Sequence, residues 1–448
     1  MNCWRLHIVA SPDAQLAGTI VSLGAGTTIV GREPTAQAAG ARLLQLNDPT
    51  LSRAHVALVI RDGAACIDIA DMASRNGTAV DGAVLQHRVA AEHGSVVRAG
   101  ATVCVLEACR EQQNECREQP DECSAPTAAV AGFSSAAQRT RAELRAAAVD
   151  RRPVLITGET GTGKERAAAA VHELSGRRGP LVRLNVAAVP ETLFEAEFFG
   201  HAKGAFSGAG EARLGWVQQA SGGTLVLDEI GELAPPMQAK LLRLLEDQQL
   251  RPLGAKVDIT VDVQFVASTN ADLMQRVQSG AFRQDLAARL RAHEVHLPPL
   301  RERRPDVLDL ADVVAPLPLG RGLWREALTA DAVETLTLYH WPDNLRELDR
   351  VLRKVSALGR VVQMSDLPLE LVQAVTARAQ QVAPLPPALP DRQAPAREHL
   401  LAVLQQCKGN VEQAARQLGR DRKQVYRWME AVGIDSVALA MLRETKPR

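Results

Sequence analysis

Residues 154–164 read VLITGETGTGK, in which Gly158, Gly163 and Lys164 satisfy the spacing G-x-x-x-x-G-K. Glycines, lacking a Cβ, let successive backbone N–H groups turn inward around phosphate oxygens. A lysine at the end of such a loop brings a mobile positive charge to the β- and γ-phosphates of a nucleotide. The stretch Gly158, Glu159, Thr160, Gly161, Thr162, Gly163, Lys164 and Glu165 is therefore read as a nucleotide cradle. Glu165 stands where most such loops carry a Ser or Thr that ligates Mg2+. Two adjacent carboxylates, Asp228 and Glu229, end the apolar run at 224–227. Behind a phosphate loop they can divide hydrolysis between them. Asp228 would hold Mg2+, directly or through water, and Glu229 would act as general base on the attacking water. Asn270 follows a third apolar run, 263–268, where a polar side chain can sense a γ-phosphate. The chemistry implied is hydrolysis of a nucleoside triphosphate, with Mg2+ as cofactor.

These groups need strands to end at them. The run before Gly158 reads as a strand, and the Ala-rich segment Glu165 to Leu174 reads as a helix whose N-terminal dipole faces the anion. Strands and helices alternate onward, which predicts a parallel α/β sheet with its ligand at the C-terminal strand ends. A helix-rich segment from Arg301 to Val375 follows, opened by LPPL at 297–300.

Upstream, residues 1–108 alternate and turn at short intervals, which predicts an all-β sandwich. Asp62-Gly63 predicts a type I′ hairpin between His55–Ile60 and Ala64–Ile69, and Asp81-Gly82 predicts another. Arg5–Ala10 and Val96–Glu107 supply strands from the two ends. Residues 109–129 are Gln/Glu-rich, with Cys109, Cys116 and Cys123 seven apart; that is not zinc-ligand spacing, and the segment is read as a solvated linker. Residues 376–395 form a second linker rich in proline. In 396–448 a helix, a short Gly turn and a helix recur, and Lys and Arg outnumber Asp and Glu there.

Composition sets outer bounds. The 448 residues suffice for several domains, and 46% hydrophobic with 23% charged residues is ordinary for a globular chain. A formal net charge of +0 excludes a molecule that binds polyanions over its whole surface, so any nucleic-acid face is local. No apolar run is long enough to span a bilayer and the N-terminus reads as no signal peptide, so the expected location is cytoplasmic, without a membrane partner. Seven cysteines make no disulfide framework.

Gly31-Arg32, Ser52-Arg53-x-His55 and Asn76-Gly77-Thr78 occur in that order in the β-rich segment. The segment thereby resembles the forkhead-associated (FHA) domain, which reads phosphothreonine peptides. The resemblance implies that Arg32, Ser52 and Arg53 would hold the phosphate and Asn76 the peptide backbone. A doubly charged phosphate does need Arg and hydroxyl donors on a rigid scaffold.

Residues 130–375 resemble the AAA+ domain of sigma-54-dependent transcriptional activators, the bacterial enhancer-binding proteins: an α/β P-loop subdomain at 130–296 with an α-helical lid at 297–375. The strongest match is GAFSGA, formed by Gly204, Ala205, Phe206, Ser207, Gly208 and Ala209, against the family's GAFTGA. In that family this surface loop touches sigma-54, with Phe206 as its apolar contact. Ser207 keeps the hydroxyl but drops the methyl of Thr. The family also places Glu after the P-loop Lys, as Glu165 does here. Asn185 matches the position that restrains the catalytic Glu229. Arg283 and Arg289 match the arginine fingers donated by a neighbouring subunit. WPDNLREL at 341–348 resembles WPGNVREL, so Arg346 would reach the nucleotide from the lid, with Asp343 in place of Gly. Residues 396–448 resemble the Fis-type helix-turn-helix DNA-binding domain, and Arg420, Arg422, Lys423, Gln424, Tyr426 and Arg427 would face DNA.

The whole then reads as an ATPase that activates transcription by sigma-54 RNA polymerase from upstream double-stranded DNA. It would assemble as a homo-oligomer, from dimer to hexameric ring, and be gated by a phosphothreonine protein at the FHA module. The competing readings are a DNA-binding scaffold that senses nucleotide, and an AAA+ unfoldase that does not act on sigma-54.

Overall fold

The computed structural model describes residues 2–13, 15–34, 40–61, 63–110, 130–206, 210–318, 322–382, 397–407, 410–418, 425–426 and 428–429. The chain divides into two compact units, 1–383 and 384–448. Both linkers predicted from composition, apart from Cys109, Arg110 and 376–382, fall outside the described residues.

The first unit begins with the expected sandwich. One sheet runs in the order Ile20–Leu23, Asn2–Ala10, Thr102–Arg110, Val96–Ala99, Thr78–Val80, Ala83–Val84. The other runs Arg42–Gln45, Gly26–Gly31, Val56–Ile60, Ile67–Asp71, Val89–Ala91. Alternate residues of both sheets, among them Trp4, Leu6, Leu58, Ile67 and Leu106, close a shared core. The turn at Asp81-Gly82 is as predicted. Val80 pairs with Ala83, and both turn residues take positive φ (49° and 84°), as type I′ requires. The other hairpin differs. Val59 pairs with Asp68, so the register is not that of a two-residue hairpin; Ala64 N donates to the Arg61 carbonyl (3.0 Å), while Asp62 lies outside the described residues. The predicted strand Val96–Glu107 is itself a hairpin, Val96–Ala99 paired with Thr102–Arg110, because Gly100 turns the chain at φ 57°. Cys109 lies buried on that last strand instead of in a solvated linker.

The α/β subdomain is the predicted parallel sheet. Its order is Leu181–Asn185, Thr224–Asp228, Gln264–Thr269, Val154–Thr157, His293–His296, with every neighbouring pair parallel. The three inner strands, Thr224–Asp228, Gln264–Thr269 and Val154–Thr157, are largely apolar and buried because both faces of the sheet are covered. The helices Ser135–Val149 and Lys164–Ser175 pack one face through Ala137, Leu144, Ala167 and Val171. Phe194, Phe198, Leu241 and Leu286 lie in the core on the other.

The lid contains the helices Val307–Val314, Ala330–Leu338, Asn344–Ser356 and Leu369–Ala379. Its core is shared with the sandwich: Val9, Ala10, Val96, Val103 and Val105 sit in one cluster with Trp324, Leu336, Trp341 and Leu348. Polar contacts line this seam. Arg98 reaches Glu334 at 2.6 Å, and burial raises the Glu334 pKa despite that partner. Arg304 donates to the Gly94 carbonyl (2.6 Å), and Arg378 pairs with Asp81 at 3.3 Å. Glu107 accepts from the backbone N–H and hydroxyl of Ser135 at the start of the helix Ser135–Val149 (3.0 and 2.9 Å) and from His7 (2.9 Å). Burial opposes its ionisation, but these donors leave its pKa lowered.

In the second unit, Arg397–Gln406 and Val411–Gln417 are helices, and the Asn410 side-chain oxygen Oδ1 caps the latter by accepting from Glu412 N and Gln413 N. Leu400, Leu404, Ala414, Val425 and Trp428 form their core. Among the described residues no helix is long and apolar enough to cross a membrane.

Because Val103 belongs to the core common to sandwich and lid, Val103→Ala is expected to cost about 1.5 kcal/mol, at ~0.8 kcal/mol per buried CH2 removed, read by urea unfolding. Hydrogen exchange should quicken in the lid helix Ala330–Leu338 as well as in the sandwich. Acceleration confined to the sandwich would show that the two cores are energetically separate.

Candidate nucleotide site and interaction loops

The strand Val154–Thr157 delivers the chain to a loop whose Gly158, Gly161 and Gly163 have φ of 152°, 79° and 100°. Gly161 is required twice over, since a Cβ there would also collide with the Asp343 carbonyl of the lid. Lys164 is buried at the start of its helix, and its ammonium donates to the carbonyls of Gly158 (3.0 Å) and Glu159 (3.2 Å). Burial lowers its pKa, opposed by the nearby Glu229 and Asp228. Thr162 turns its hydroxyl back onto the Glu159 carbonyl (2.8 Å). Thr160, Gly161, Lys164, Asp228, Glu229 and Arg346 are among the residues lining a cleft of about 280 Å³ beside this loop. The P-loop, the acidic pair and the lid arginine singled out in the sequence are thus brought to one site.

Glu229 sits just past its strand at φ 54°, ψ 47°, a left-handed conformation that costs a non-glycine residue free energy and that clusters at functional sites. Its carboxylate accepts from the Asn270 backbone N–H (3.4 Å), and the Asn270 side chain donates to the Thr160 hydroxyl (3.2 Å). Asn185 is opposite Asp228 in the strand register, but its side-chain oxygen Oδ1 caps the next turn by accepting from Ala187 N (3.0 Å); among the described residues it makes no hydrogen bond to Glu229. Arg283 is exposed and paired with Asp285 (3.0 and 2.7 Å), whose pKa it holds down at about 2. Arg289 is exposed on the helix Gln284–Leu290 and donates to the Leu245 carbonyl (3.2 Å). Neither arginine lines this cleft.

Sequence reasoning missed the ties between lid and P-loop. Asn344, 1% exposed and at φ 50°, donates to the Thr160 carbonyl (3.0 Å) and Glu159 carboxylate (3.2 Å) while accepting from Leu300 N (2.8 Å). Arg301 makes a bidentate pair with Glu159 (2.8 and 2.6 Å), and this pairing, against slight burial, holds the Glu159 pKa down at about 2. Leu345 N donates to the Gly161 carbonyl (2.9 Å). Asp343 takes φ −96°, so the position tolerates a side chain; the positive φ values in this turn fall on Trp341 and Asn344. The only sequence signal for Asn344 was its place in the WPDNLREL match.

The loop carrying Gly204, Ala205 and Phe206 projects from the ladder formed by Gly200–His201 and Arg213–Leu214. Leu253 braces its base by accepting from Ala202 N (2.8 Å) and donating to the Gly200 carbonyl (2.9 Å). Phe206 is 45% exposed and leans edge-on against His201 with ring centroids 5.0 Å apart. Ser207, Gly208 and Ala209 lie outside the described residues.

In the sandwich, Arg32, Arg53 and Asn76 are exposed at neighbouring loops. The Ser52 hydroxyl accepts from Arg75 N (2.9 Å), and Asn76 donates to the Thr50 carbonyl (2.6 Å). Buried His55 accepts from Ser52 N (3.0 Å) and donates to the Gly77 carbonyl (3.1 Å), tying two of the motifs together, and Arg32 N joins the third by donating to the Ser52 carbonyl (3.0 Å). Gly31 admits no Cβ, because the Arg53 carbonyl occupies that space. Arg75, exposed beside Ser52, was not anticipated. In the second unit Tyr426 is exposed, while Arg420, Arg422, Lys423, Gln424 and Arg427 lie outside the described residues.

Comparison with known proteins follows this geometry. Residues 130–296 match the sigma-54 interaction domain model, 301–384 the AAA+ ATPase lid domain, 28–100 the FHA domain, and 397–431 the Fis-family bacterial regulatory protein model. The transcriptional regulatory protein ZraR of Salmonella typhi is 40% identical over 324 residues, covering 71% of this chain and 72% of that protein. The Nif-specific regulatory protein of Azotobacter vinelandii is 40% identical over 299 residues, 66% of this chain but only 57% of its own length. The crystal structure of NtrX from Brucella abortus in complex with ADP aligns at 27% identity over 68% of each chain with a TM-score of 0.46, too loose an overlap for transfer of residue roles.

Proposed function

This chain belongs to the family of sigma-54-dependent transcriptional activators, which carry an AAA+ ATPase domain, and on that premise we propose that it hydrolyses ATP to remodel closed promoter complexes of sigma-54 RNA polymerase in the cytoplasm. The observation that carries this reading is one subdomain bearing both a lid-covered P-loop cleft and, on a separate surface loop, the exposed Phe206. The working parts divide at 1–108, 130–296, 297–375 and 396–448.

ATP lies with its phosphates against Gly158–Lys164, Arg346 approaching from the lid. Glu229 takes the proton of the attacking water, and Asn270, already bonded to Thr160, reports the γ-phosphate. The donor set suits Mg2+. Among the described residues no cluster of three or more His, Cys, Asp or Glu could hold a metal alone, and a cation shared between one carboxylate and phosphate oxygens needs none. Asp228 would hold it, and the ion would supply positive charge that offsets the negative charge of the triphosphate. Arg283 and Arg289, exposed and outside their own cleft, serve the site of a neighbouring subunit. Such a head-to-tail contact repeats until it closes, and a hexameric ring is the proposed assembly.

Gly204–Ala209 presents Phe206 to sigma-54 as the ring turns over. Residues 396–448 hold upstream DNA, with Arg420, Arg422, Lys423, Gln424, Tyr426 and Arg427 as the contact set. The FHA loops read a phosphothreonine protein through Arg32, Ser52, Arg53 and Asn76, and the core that the sandwich shares with the lid supports a mechanical route from that ligand to the ATPase.

Glu229→Gln is expected to bind ATP as the parent does while losing turnover by about 10²–10⁴-fold, measured as phosphate release; undiminished hydrolysis would remove Glu229 from the chemistry. Phe206→Ala should keep its ATPase and lose open-complex formation with sigma-54 polymerase, and wild-type levels of open complex would break the loop assignment. Arg53→Ala should weaken binding of a phosphothreonine peptide by about tenfold or more, the loss of one charge-assisted bond. If the parent chain binds no phosphothreonine peptide, the sandwich serves as a protein-contact module only.

A further inference from the structure

In the parallel pair of Thr224–Asp228 with Gln264–Thr269, Leu227 lies opposite Ala267. One step on, at the C-terminal edge of the sheet, Asp228 falls beside Ser268. Ser268 is 0% exposed, and its hydroxyl donates to Asp228 Oδ1 at 2.6 Å, the length of a charge-assisted O–H···O⁻ bond. Among the described residues Asp228 Oδ2 has no hydrogen-bond partner, and Asp228 lines the nucleotide cleft. We propose that Ser268 is a positioning residue for hydrolysis: it fixes the carboxylate plane of Asp228 so that Oδ2 is presented to the Mg2+–triphosphate. This rests on the reading that Asp228 holds the cation.

The need for such a residue follows from the P-loop. Glu165 stands where a hydroxyl ligand usually follows the lysine, so the protein's hold on Mg2+ leans on Asp228. The terminal torsion of an aspartate is broad and roughly two-fold, and a carboxylate anchored only by its backbone samples many planes. A hydrogen bond from a fully buried hydroxyl on the adjacent strand removes that freedom, because Ser268 cannot move without disturbing the sheet. The neighbour on the other side gives no such help: Asn185, whose side-chain amide oxygen accepts from Ala187 N, makes no hydrogen bond to Asp228 among the described residues. Partners that orient a metal-binding side chain are commonly worth 10–100-fold in metal affinity or activity.

The test uses the full-length chain and a fluorescent ATP analogue, titrated with Mg2+ and separately in EDTA. Ser268→Ala deletes one oxygen from a buried site whose partner still reaches solvent. It should leave affinity in EDTA unchanged and raise the Mg2+ concentration for half-maximal tightening by about 10-fold or more. In ATPase assays at limiting Mg2+, kcat should fall with little change in KM for ATP. Ser268→Thr, which retains the hydroxyl, should restore the Mg2+ response. A half-point for Ser268→Ala within about twofold of the parent would overturn the proposal. So would a parallel loss of binding in EDTA, which marks a merely structural role. Asp228→Ala separates the two levels of inference: if it leaves the Mg2+ response intact, the assignment of Asp228 itself fails, whereas loss of the response in Asp228→Ala with an unaffected Ser268→Ala refutes only the positioning role.

Discussion

Parallel register is the constraint on which the rest of this molecule depends. In the central sheet Thr157 lies opposite Thr269 on one side and His296 on the other, and Asp228 lies opposite Asn185. Since every strand points the same way, their polar last residues reach one edge together. Hydrogen bonds between strands impose that alignment, so the last residues of neighbouring strands stand about 4.8 Å apart along one edge of the sheet. The apolar residues before those ends pay for it by burial on both faces. Bonds such as Ser268–Asp228 and Asn270–Thr160 are consequences of the register.

A second layer of organisation is built on that edge. The lid does not merely lie over the P-loop; Asn344, Leu345 and Arg301 bond to Glu159, Thr160 and Gly161 individually. Asn344 is held in a left-handed conformation while making three side-chain hydrogen bonds inside the protein, so the cost of its backbone is offset by bonds that only this position can make. The far side of the lid is not a free surface. Its apolar core continues into the sandwich, and Glu107 of the sandwich bonds the first residue of the helix Ser135–Val149. The sandwich therefore touches both AAA+ subdomains. Any large displacement of the lid must carry the sandwich along or open the shared core, and opening it exposes apolar area at roughly 25 cal/mol per Å².

The polar bonds in that seam are unequal. Arg98–Glu334 and Arg304–Gly94 are partly or largely removed from water, and burial pushes the Arg304 pKa down to about 10. Breaking such a pair leaves a charge in a poor solvent, whereas surface pairs such as Arg283–Asp285 contribute little to stability. The seam is thus specific as well as apolar.

What the sequence determined by itself was local. A phosphate cradle is made of consecutive residues, so its spacing is its structure, and the apolar runs before Gly158 and Glu229 announced strands of a covered sheet. The Asp81-Gly82 turn was legible for the same reason: two residues with positive φ and a matched register define it. At Asp62-Gly63 the register was misread: Ala64 N does donate back to the Arg61 carbonyl, but pairing of Val59 with Asp68 set the register from outside that turn. What only the tertiary structure decided was which distant groups meet. Ser268, Asn344, Arg301 and Glu107 act through partners 40, 185, 142 and 28 residues away, respectively. No periodicity or short motif encodes such contacts, because they arise when strand register and packed cores bring separate segments together.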